Sequence, residues 1–117
     1  MTILTVDVIF ETAIKLMLLE DRSITVHFSK DSIYIRFPTT RKLADHLETP
    51  HYYVLPYFAT MEKEGLINRV ERVGISTTNA GSRKLIELMV SKYKKEMEEI
   101  IGTALFEEIQ KRVMKED

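Results

Sequence analysis

A stripe of apolar residues at three- and four-residue spacing lies near the start of the chain. It comprises Val6, Ile9, Phe10, Ala13, Ile14, Met17 and Leu18. This spacing places the whole stripe on one side of a helix, so it predicts an amphipathic helix over residues 5–21. Thr5 can cap the start of this helix, and Asp7 and Glu11 would lie near the positive end of its dipole.

Two runs of alternating apolar and polar residues follow, at 24–28 and 33–37. In the first run one face carries Ile24, Val26 and Phe28, and in the second run one face carries Ile33, Ile35 and Phe37. Strict alternation is typical of half-buried strands, and the Ser-Lys-Asp-Ser segment between the runs favours a turn. We therefore predict a β-hairpin over residues 24–37.

Two short helical patterns come next and are separated by a turn. Thr39 or Thr40 can cap the first, whose apolar positions are Leu43, Ala44 and Leu47. The chain then turns through Glu48-Thr49-Pro50. The second pattern has its apolar positions at Val54, Phe58 and Met61 and ends at Gly65. A glycine at this place is a common helix terminator.

Pro56 determines where the second of these helices begins. Proline in a helix interior costs about 3 kcal/mol because it removes a hydrogen bond and clashes with the preceding turn. In the first turn the N–H groups lack partners within the helix, so proline is tolerated there. We therefore predict that this helix begins near Tyr52 or Tyr53 and ends at about residue 64.

Residues 66–71 and 75–78 have the composition of two strands around the tight loop Arg72-Val73-Gly74. Thr78 or Asn79 can cap the last helix, and Gly81 would lie in its opening turn. Residues 39–81 are thus predicted to form helix, turn, helix, strand, turn and strand.

The longest periodic segment spans residues 82–116 and predicts a long C-terminal helix. Apolar residues recur every fourth position at Leu85, Met89, Tyr93, Met97, Ile101, Leu105, Ile109 and Val113. A row of this length drifts around the helix, and one short domain is not expected to cover all of it. Gly102 interrupts the row, and both a kink and a complete break are open at that residue.

The excess apolar surface of this row favours dimerisation, because the domain's own first helix is too short to cover it. We predict that the C-terminal helix pairs with the residue 5–20 helix of a partner. The residues predicted to form the interface are Ile9, Leu85, Met89, Tyr93, Met97, Ile101, Leu105 and Ile109. Burying about six large side chains per chain at roughly 1.5–3 kcal/mol each would suffice for a stable dimer.

The order of motifs in residues 39–81 resembles the winged-helix regulators of the MarR, PadR and ArsR type. The matching segments are Leu43-Ala44, Leu47, Met61 to Ile67 and Thr78 to Gly81. The resemblance implies an α+β fold, a winged helix–turn–helix, to which this chain adds an N-terminal β-hairpin and a long C-terminal dimerisation helix. One departure is Glu48, which stands where a turn glycine is usual. A left-handed conformation costs a residue of this type roughly 1 kcal/mol, so we expect a differently shaped turn.

This resemblance implies a DNA-binding transcriptional regulator that acts as a homodimer on a pseudo-palindromic duplex site, with half-sites about one helical turn apart. The residues predicted to contact DNA are Thr40, Arg41, Lys42, His51, Tyr52, Tyr53, Leu55, Thr60, Arg69, Arg72, Arg83 and Lys84. No Arg or Lys occurs between Lys42 and Lys63. The helix expected in the major groove therefore lacks the Arg fork that most often contacts guanine. Most of the affinity should come from the basic residues on either side.

Charge and composition limit the functional classes that are possible for this chain. The net charge of -1 excludes a uniformly basic nucleic-acid binder, so any anion-binding surface must be local. The chain has no cysteine, which excludes disulfides and thiolate metal sites. Its three histidines show no metal-ligand spacing, and no catalytic motif is present, so we expect no metal, no cofactor and no enzymatic activity.

No apolar run approaches the roughly 20 residues of a membrane span, and the N-terminus lacks the features of a signal peptide. We therefore expect a cytoplasmic protein that has no membrane partner. Amides are scarce while Ile, Lys, Arg and Glu are frequent, as in proteins from hot environments; chance in a short chain explains this composition equally well.

Two other functions fit the same sequence. The neutral, aromatic second helix and the near-zero net charge would suit a winged helix used for contact with another protein. A ligand-responsive regulator is the other alternative, with a small-molecule effector bound at the dimer interface between the first and last helices. The sequence does not identify such an effector.

Overall fold

The protein has an α+β fold, seen in a computed structural model that describes residues 3–30, 32–70 and 74–114. Its helices are α1 (Val6–Lys15, continued by a π-helical segment, Leu16–Asp21), α2 (Thr40–Leu47), α3 (His51–Lys63), α4 (Asn79–Lys92), α5 (Lys94–Ile101) and α6 (Thr103–Val113). Its strands are β1 (Val26–Phe28), β2 (Ile33–Phe37), β3 (Ile67–Val70) and β4 (Gly74–Thr77). The first predicted helix, at residues 5–21, is confirmed, and Thr5 caps it by accepting a hydrogen bond from the N–H of Val8 at 3.0 Å.

The four strands form one antiparallel sheet in the order β1-β2-β4-β3. The predicted hairpin of β1 and β2 is confirmed, and β2 also pairs with β4, so that Arg36 lies opposite Ser76. Ile33, Ile35 and Phe37 are buried, as predicted. Phe28 is not part of the inner face: it is 46% exposed, and the Arg112 guanidinium lies 5.4 Å from its ring centre.

Three phenylalanines join the helices to the sheet. The ring of Phe37 on β2 meets those of Phe10 on α1 and Phe58 on α3 edge to face, at centroid distances of 5.3 and 5.8 Å. Both helices thus pack on the same side of the sheet, and this contact determines how α3 is presented to solvent.

The second helix of the α2–α3 pair begins at His51, one or two residues before the predicted start. Pro56 is therefore its sixth residue and lies in the second turn, so the prediction of a first-turn proline is wrong. The Tyr52 carbonyl has no N–H to accept from at position 56, because proline has none. The start is set by Pro50, whose carbonyl accepts from the N–H of Tyr53 at 3.0 Å.

The turn between α2 and α3 has the shape that a glycine would give it. Glu48 is left-handed, at φ 55° and ψ 46°. Its N–H donates to the Asp45 carbonyl, and the N–H of Thr49 donates to the Ala44 carbonyl, which is the Schellman pattern of helix ends. The expected differently shaped turn is therefore wrong: these hydrogen bonds hold Glu48 in the conformation that glycine adopts more cheaply.

Replacement of Glu48 by glycine is expected to stabilise the protein by about 0.5–1 kcal/mol. The substitution removes the left-handed penalty, which exceeds the extra entropy that glycine loses on folding. Thermal unfolding should shift upward by roughly 2–4 °C. Glu48→Ala is the control, since it removes the carboxylate and keeps the backbone penalty. Equal melting temperatures for the two variants would contradict the explanation.

The C-terminal segment is three helices, so the predicted single helix over residues 82–116 is wrong, and of the two alternatives left open at Gly102 the complete break is present. The backbone leaves helical geometry at Tyr93 (φ -132°, ψ 27°) and at Gly102 (φ 88°, ψ 154°). These two breaks allow α5 and α6 to fold back against α4 and the sheet, and Arg112 of α6 donates to the Ser29 carbonyl in the β1–β2 loop at 2.9 Å. The break at Gly102 also shifts the helical phase, so Phe106 is buried while Leu105 is 41% exposed.

The fold-back covers most of the apolar row within one chain. Of the residues predicted to form the dimer interface, the fully buried ones are Ile9, Leu85, Met89, Met97 and Ile109. One chain therefore covers most of this row by itself and leaves less of it for a partner than the sequence suggested. Tyr93 and Ile101 are half-buried, which leaves Leu105 as the exposed member of the predicted interface.

Candidate nucleic-acid interface

The outward side of α3 is an uncharged surface. Val54, Phe58 and Met61 anchor the helix in the core, while Tyr52 and Tyr53 are 63% and 51% exposed. The other exposed residues of this surface are Leu55, Pro56, Ala59 and Thr60. Four of the predicted DNA-contacting residues of α3 are thus accessible, and they offer hydroxyl groups and apolar atoms rather than cations: Tyr52, Tyr53, Leu55 and Thr60.

The beginnings of α2 and α3 are joined by a side-chain hydrogen bond. Thr40 Oγ1 lies 2.6 Å from His51 Nε2, and both residues are half-buried. Each of these predicted DNA contacts is therefore already bonded to the other, and a phosphate oxygen would have to compete with that bond.

Most of the basic residues predicted to bind DNA are paired with acids. Lys42 Nζ bonds Asp21 Oδ2 at the end of the π-helical segment. The Arg69 guanidinium donates twice to Glu62 Oε1, at 2.9 and 3.2 Å, and so joins β3 to α3. All four side chains are at least 39% exposed, and exposed pairs of this kind are worth roughly 0–1 kcal/mol.

Two of the predicted basic residues belong to α4. Lys84 Nζ bonds Asp7 Oδ1 at 2.6 Å and lies 5.4 Å from the ring centre of Phe10, so it is directed at α1. The guanidinium of Arg83 pairs with Glu87 one turn along α4, at 3.6 Å. The described ion pair of Arg83 thus lies within α4, and that of Lys84 joins α4 to α1.

Arg41 and Lys63 are the basic residues beside α3 that remain available. Both are exposed, and no acidic partner is found for either among the residues that the structure describes. Lys63 was not among the predicted DNA contacts, although its position in the last turn of α3 could have indicated it. Arg72 lies outside the described residues, as do its neighbours 71 and 73.

A cluster of ionisable groups joins α1 to the end of α4. Lys92 Nζ and the Tyr93 hydroxyl both donate to the Glu11 carboxylate, at 3.2 Å each. The hydrogen bond from Lys92 lowers the pKa of Glu11, and burial followed by the Glu11 charge raises the pKa of Tyr93. With Lys84–Asp7, these contacts pack α1 directly on α4 in one chain, at the place where the sequence suggested an effector pocket between subunits.

Within residues 3–30, 32–70 and 74–114, no group of three or more His, Asp or Glu side chains is arranged to hold a metal ion. Among the helices described above, none combines the length and apolar character needed to cross a bilayer.

Comparisons of the chain with models of protein families, with curated proteins and with solved structures gave no match.

Proposed function

We propose that this protein binds duplex DNA through α2, α3 and the β3–β4 hairpin, and that it regulates transcription. The observation that carries the proposal is the exposed outer side of α3, held between a preceding helix and an antiparallel strand pair. This arrangement is compatible with a winged helix, in which the second helix of the motif enters the major groove and the strand pair contacts the neighbouring backbone.

Phosphate contacts from the margins of the surface would supply most of the affinity. Arg41 and Lys63 are available as they stand. Lys42 and Arg69 can exchange their exposed carboxylate partners for phosphates at little cost, because such pairs contribute so little to stability. Tyr52, Tyr53 and Thr60 would add hydroxyl donors to base edges or phosphates. Binding of this kind is governed by salt more than by base identity.

Homodimerisation is part of the proposal, since a regulator of this size commonly reads two half-sites. The fold leaves a smaller apolar surface for it than the sequence suggested. Leu105 on α6 and Val90 on α4 are 41% and 36% exposed, and these two helices contact each other. We propose that pairing between subunits involves this α4–α6 surface.

The double substitution Arg41→Ala with Arg69→Ala is expected to weaken duplex binding about tenfold or more near 50 mM salt. Each cation contacts about one phosphate, so the slope of log K against log salt should fall by roughly 1.8 per protomer. Fluorescence anisotropy with a random duplex of roughly 25 base pairs, over a salt titration, measures both quantities.

Lys94→Ala with Lys95→Ala is the matched control, because it removes the same charge from exposed positions on α5. It should leave the salt slope nearly unchanged. Equal effects of the two double variants would show that only net charge matters, which would contradict an interface at α2 and α3.

Contact with another protein is the second candidate function, and the uncharged α3 surface favours it. Large exposed aromatic and aliphatic groups are enriched in protein interfaces, whereas DNA-binding surfaces are much more positive. The same anisotropy experiment separates the two candidates. Absence of duplex binding by the unmodified protein at low salt and micromolar concentration would favour the protein partner.

A further inference from the structure

A groove runs beside the first turns of α3, and we name it the α3 groove. Its volume is about 880 Å³, and it is lined by Leu4, Leu47, Glu48, Thr49, Tyr52, Tyr53, Pro56 and Tyr57. This volume is in the range of pockets for drug-sized molecules, roughly 300–1,000 Å³, and is far larger than a simple ammonium ion needs.

Three of its eight described lining residues are tyrosines. The rings of Tyr52 and Tyr53 meet edge to face, with centroids 4.6 Å apart and planes at 79°, so they form two nearly perpendicular surfaces. Tyr57 is half-buried one turn further along the helix. The face of an aromatic ring carries partial negative charge and attracts cations, and groups of such rings recognise quaternary ammonium ligands.

The charge of the groove has the sign that a cation requires. Glu48 is the one charged residue among the eight described lining residues, and none of them is Lys or Arg. Its carboxylate has no hydrogen bond or ion pair with any described residue, whereas Glu62 at the other end of α3 is held by Arg69. Glu48 therefore brings an unpaired carboxylate to the groove, and a cationic ligand could pair with it without displacing a described partner.

From these observations we propose that the α3 groove binds a lipophilic organic cation with several rings. The cation would stack on Tyr52 and Tyr53, and Glu48 would neutralise its charge. Because the groove is wide, the apolar body of the ligand would contact Leu47 and Pro56, so a small hydrophilic ammonium ion would be bound far less well.

Two ions of nearly identical size and shape test the proposal on the 117-residue chain without DNA. Tetraphenylphosphonium is the cation and tetraphenylborate is the anion, and isothermal titration gives both affinities. We expect the cation to bind at least ten times more tightly than the anion. Equal or tighter binding of the anion, or no binding of the cation at millimolar concentration, would overturn the proposal.

Three variants locate the site. Glu48→Gln should weaken cation binding about tenfold and leave anion binding unchanged or stronger, while Glu64→Gln, an exposed acid outside the groove, should change neither. Tyr52→Leu should weaken cation binding about fivefold, whereas Tyr52→Phe keeps the ring and should retain it. Circular dichroism confirms that each variant is folded. A Glu48→Gln variant with unaltered cation affinity would contradict the proposed site.

A second copy of the chain is the competing occupant. If light scattering shows a dimer that Tyr52→Leu abolishes, and that the cation does not disturb, the groove is a self-association surface and the proposal is wrong. One consequence rests on the proposed function: because Tyr52 and Tyr53 also belong to the surface assigned to DNA, the bound cation should lower duplex affinity. The titrations without DNA test cation binding in the α3 groove whether or not the protein binds DNA.

Discussion

Replacement of Gly81 by alanine is expected to destabilise the protein by about 3 kcal/mol. Gly81 is in the first turn of α4, and a Cβ there would lie 1.9 Å from the carbonyl oxygen of Leu66 and 2.9 Å from its carbon. These are main-chain atoms, so no rotamer change relieves the overlap. The same carbonyl accepts the N–H of Thr78, the residue that caps α4, at 3.0 Å. Moving it apart from α4 would therefore disturb the cap as well.

Helix propensity acts in the opposite direction and is too weak to compensate. Alanine is favoured over glycine by about 1 kcal/mol in a helix, whereas the overlap requires the chain after α3 to separate from α4. For a chain of this length a loss of 3 kcal/mol lowers the melting temperature by roughly 12 °C. Calorimetry or thermal circular dichroism measures this shift.

The neighbouring exposed position provides the control. Ala80→Gly should cost only the propensity difference, about 1 kcal/mol or less. If propensity governed both positions, Gly81→Ala would raise the melting temperature while Ala80→Gly lowered it. A Gly81→Ala protein as stable as the wild type would show that the approach of Leu66 to α4 is looser than the structure indicates.

Replacement of Thr77 by valine is expected to cost roughly 2–4 kcal/mol, although the two side chains have nearly the same shape. Thr77 and Ser82 are buried, and their hydroxyls form a chain of hydrogen bonds. The N–H of Ile35 donates to Thr77 Oγ1 at 2.9 Å, and Ser82 Oγ donates to the Ile33 carbonyl at 2.6 Å. The 2.6 Å contact between the two hydroxyls completes it.

The direction of each hydrogen bond follows from the two main-chain groups at the ends of the row, the N–H of Ile35 and the carbonyl of Ile33. Ser82 uses its proton on the Ile33 carbonyl, so it must accept from Thr77, and Thr77 must accept from Ile35. Valine would leave the Ile35 N–H buried without an acceptor, which costs the full desolvation penalty of that group. Because this row of hydrogen bonds joins β2, β4 and α4, its loss should loosen the strand pair that flanks α3.

Urea unfolding measures this effect as a lower midpoint with an unchanged slope. Thr77→Ser keeps the hydroxyl and loses one methyl group, so it should cost only about 1 kcal/mol. Thr60→Val, on the exposed side of α3, should stay within roughly 0.5 kcal/mol of wild type. If Thr77→Val and Thr77→Ser had equal stabilities, the hydroxyl chain would contribute nothing beyond packing.

Local signals predicted the elements well where their cause was local. Thr5, Thr39 and Thr78 each cap a helix by accepting an N–H three residues later, as side chains of their type do. Alternation predicted β2 and its inner face, and Gly65 ends the α3 segment with a φ of 75°. The helices α2 and α3 and the strand pair after them were located from such signals.

The candidate site was predicted less completely, because pairing partners are distant in sequence. Lys42 bonds Asp21 and Lys84 bonds Asp7, across 21 and 77 residues. Counting basic residues therefore overestimated the charge available for phosphates. The α3 groove was missed for the same reason, since Leu4 joins it from beyond the N-terminus of α1.

The amino-acid sequence by itself determined where most of the helices and strands lie and which side of most of them is apolar, because periodicity and capping act within a few residues. Only the tertiary structure decided that the segment with the last apolar row forms three helices, which pack against the rest of the same chain. The reason is physical: Tyr93 and Gly102 are acceptable breaks only when burial of Met97, Phe106 and Ile109 compensates for them. Contacts between distant segments likewise decided which charges are paired and left the outer side of α3 aromatic and open.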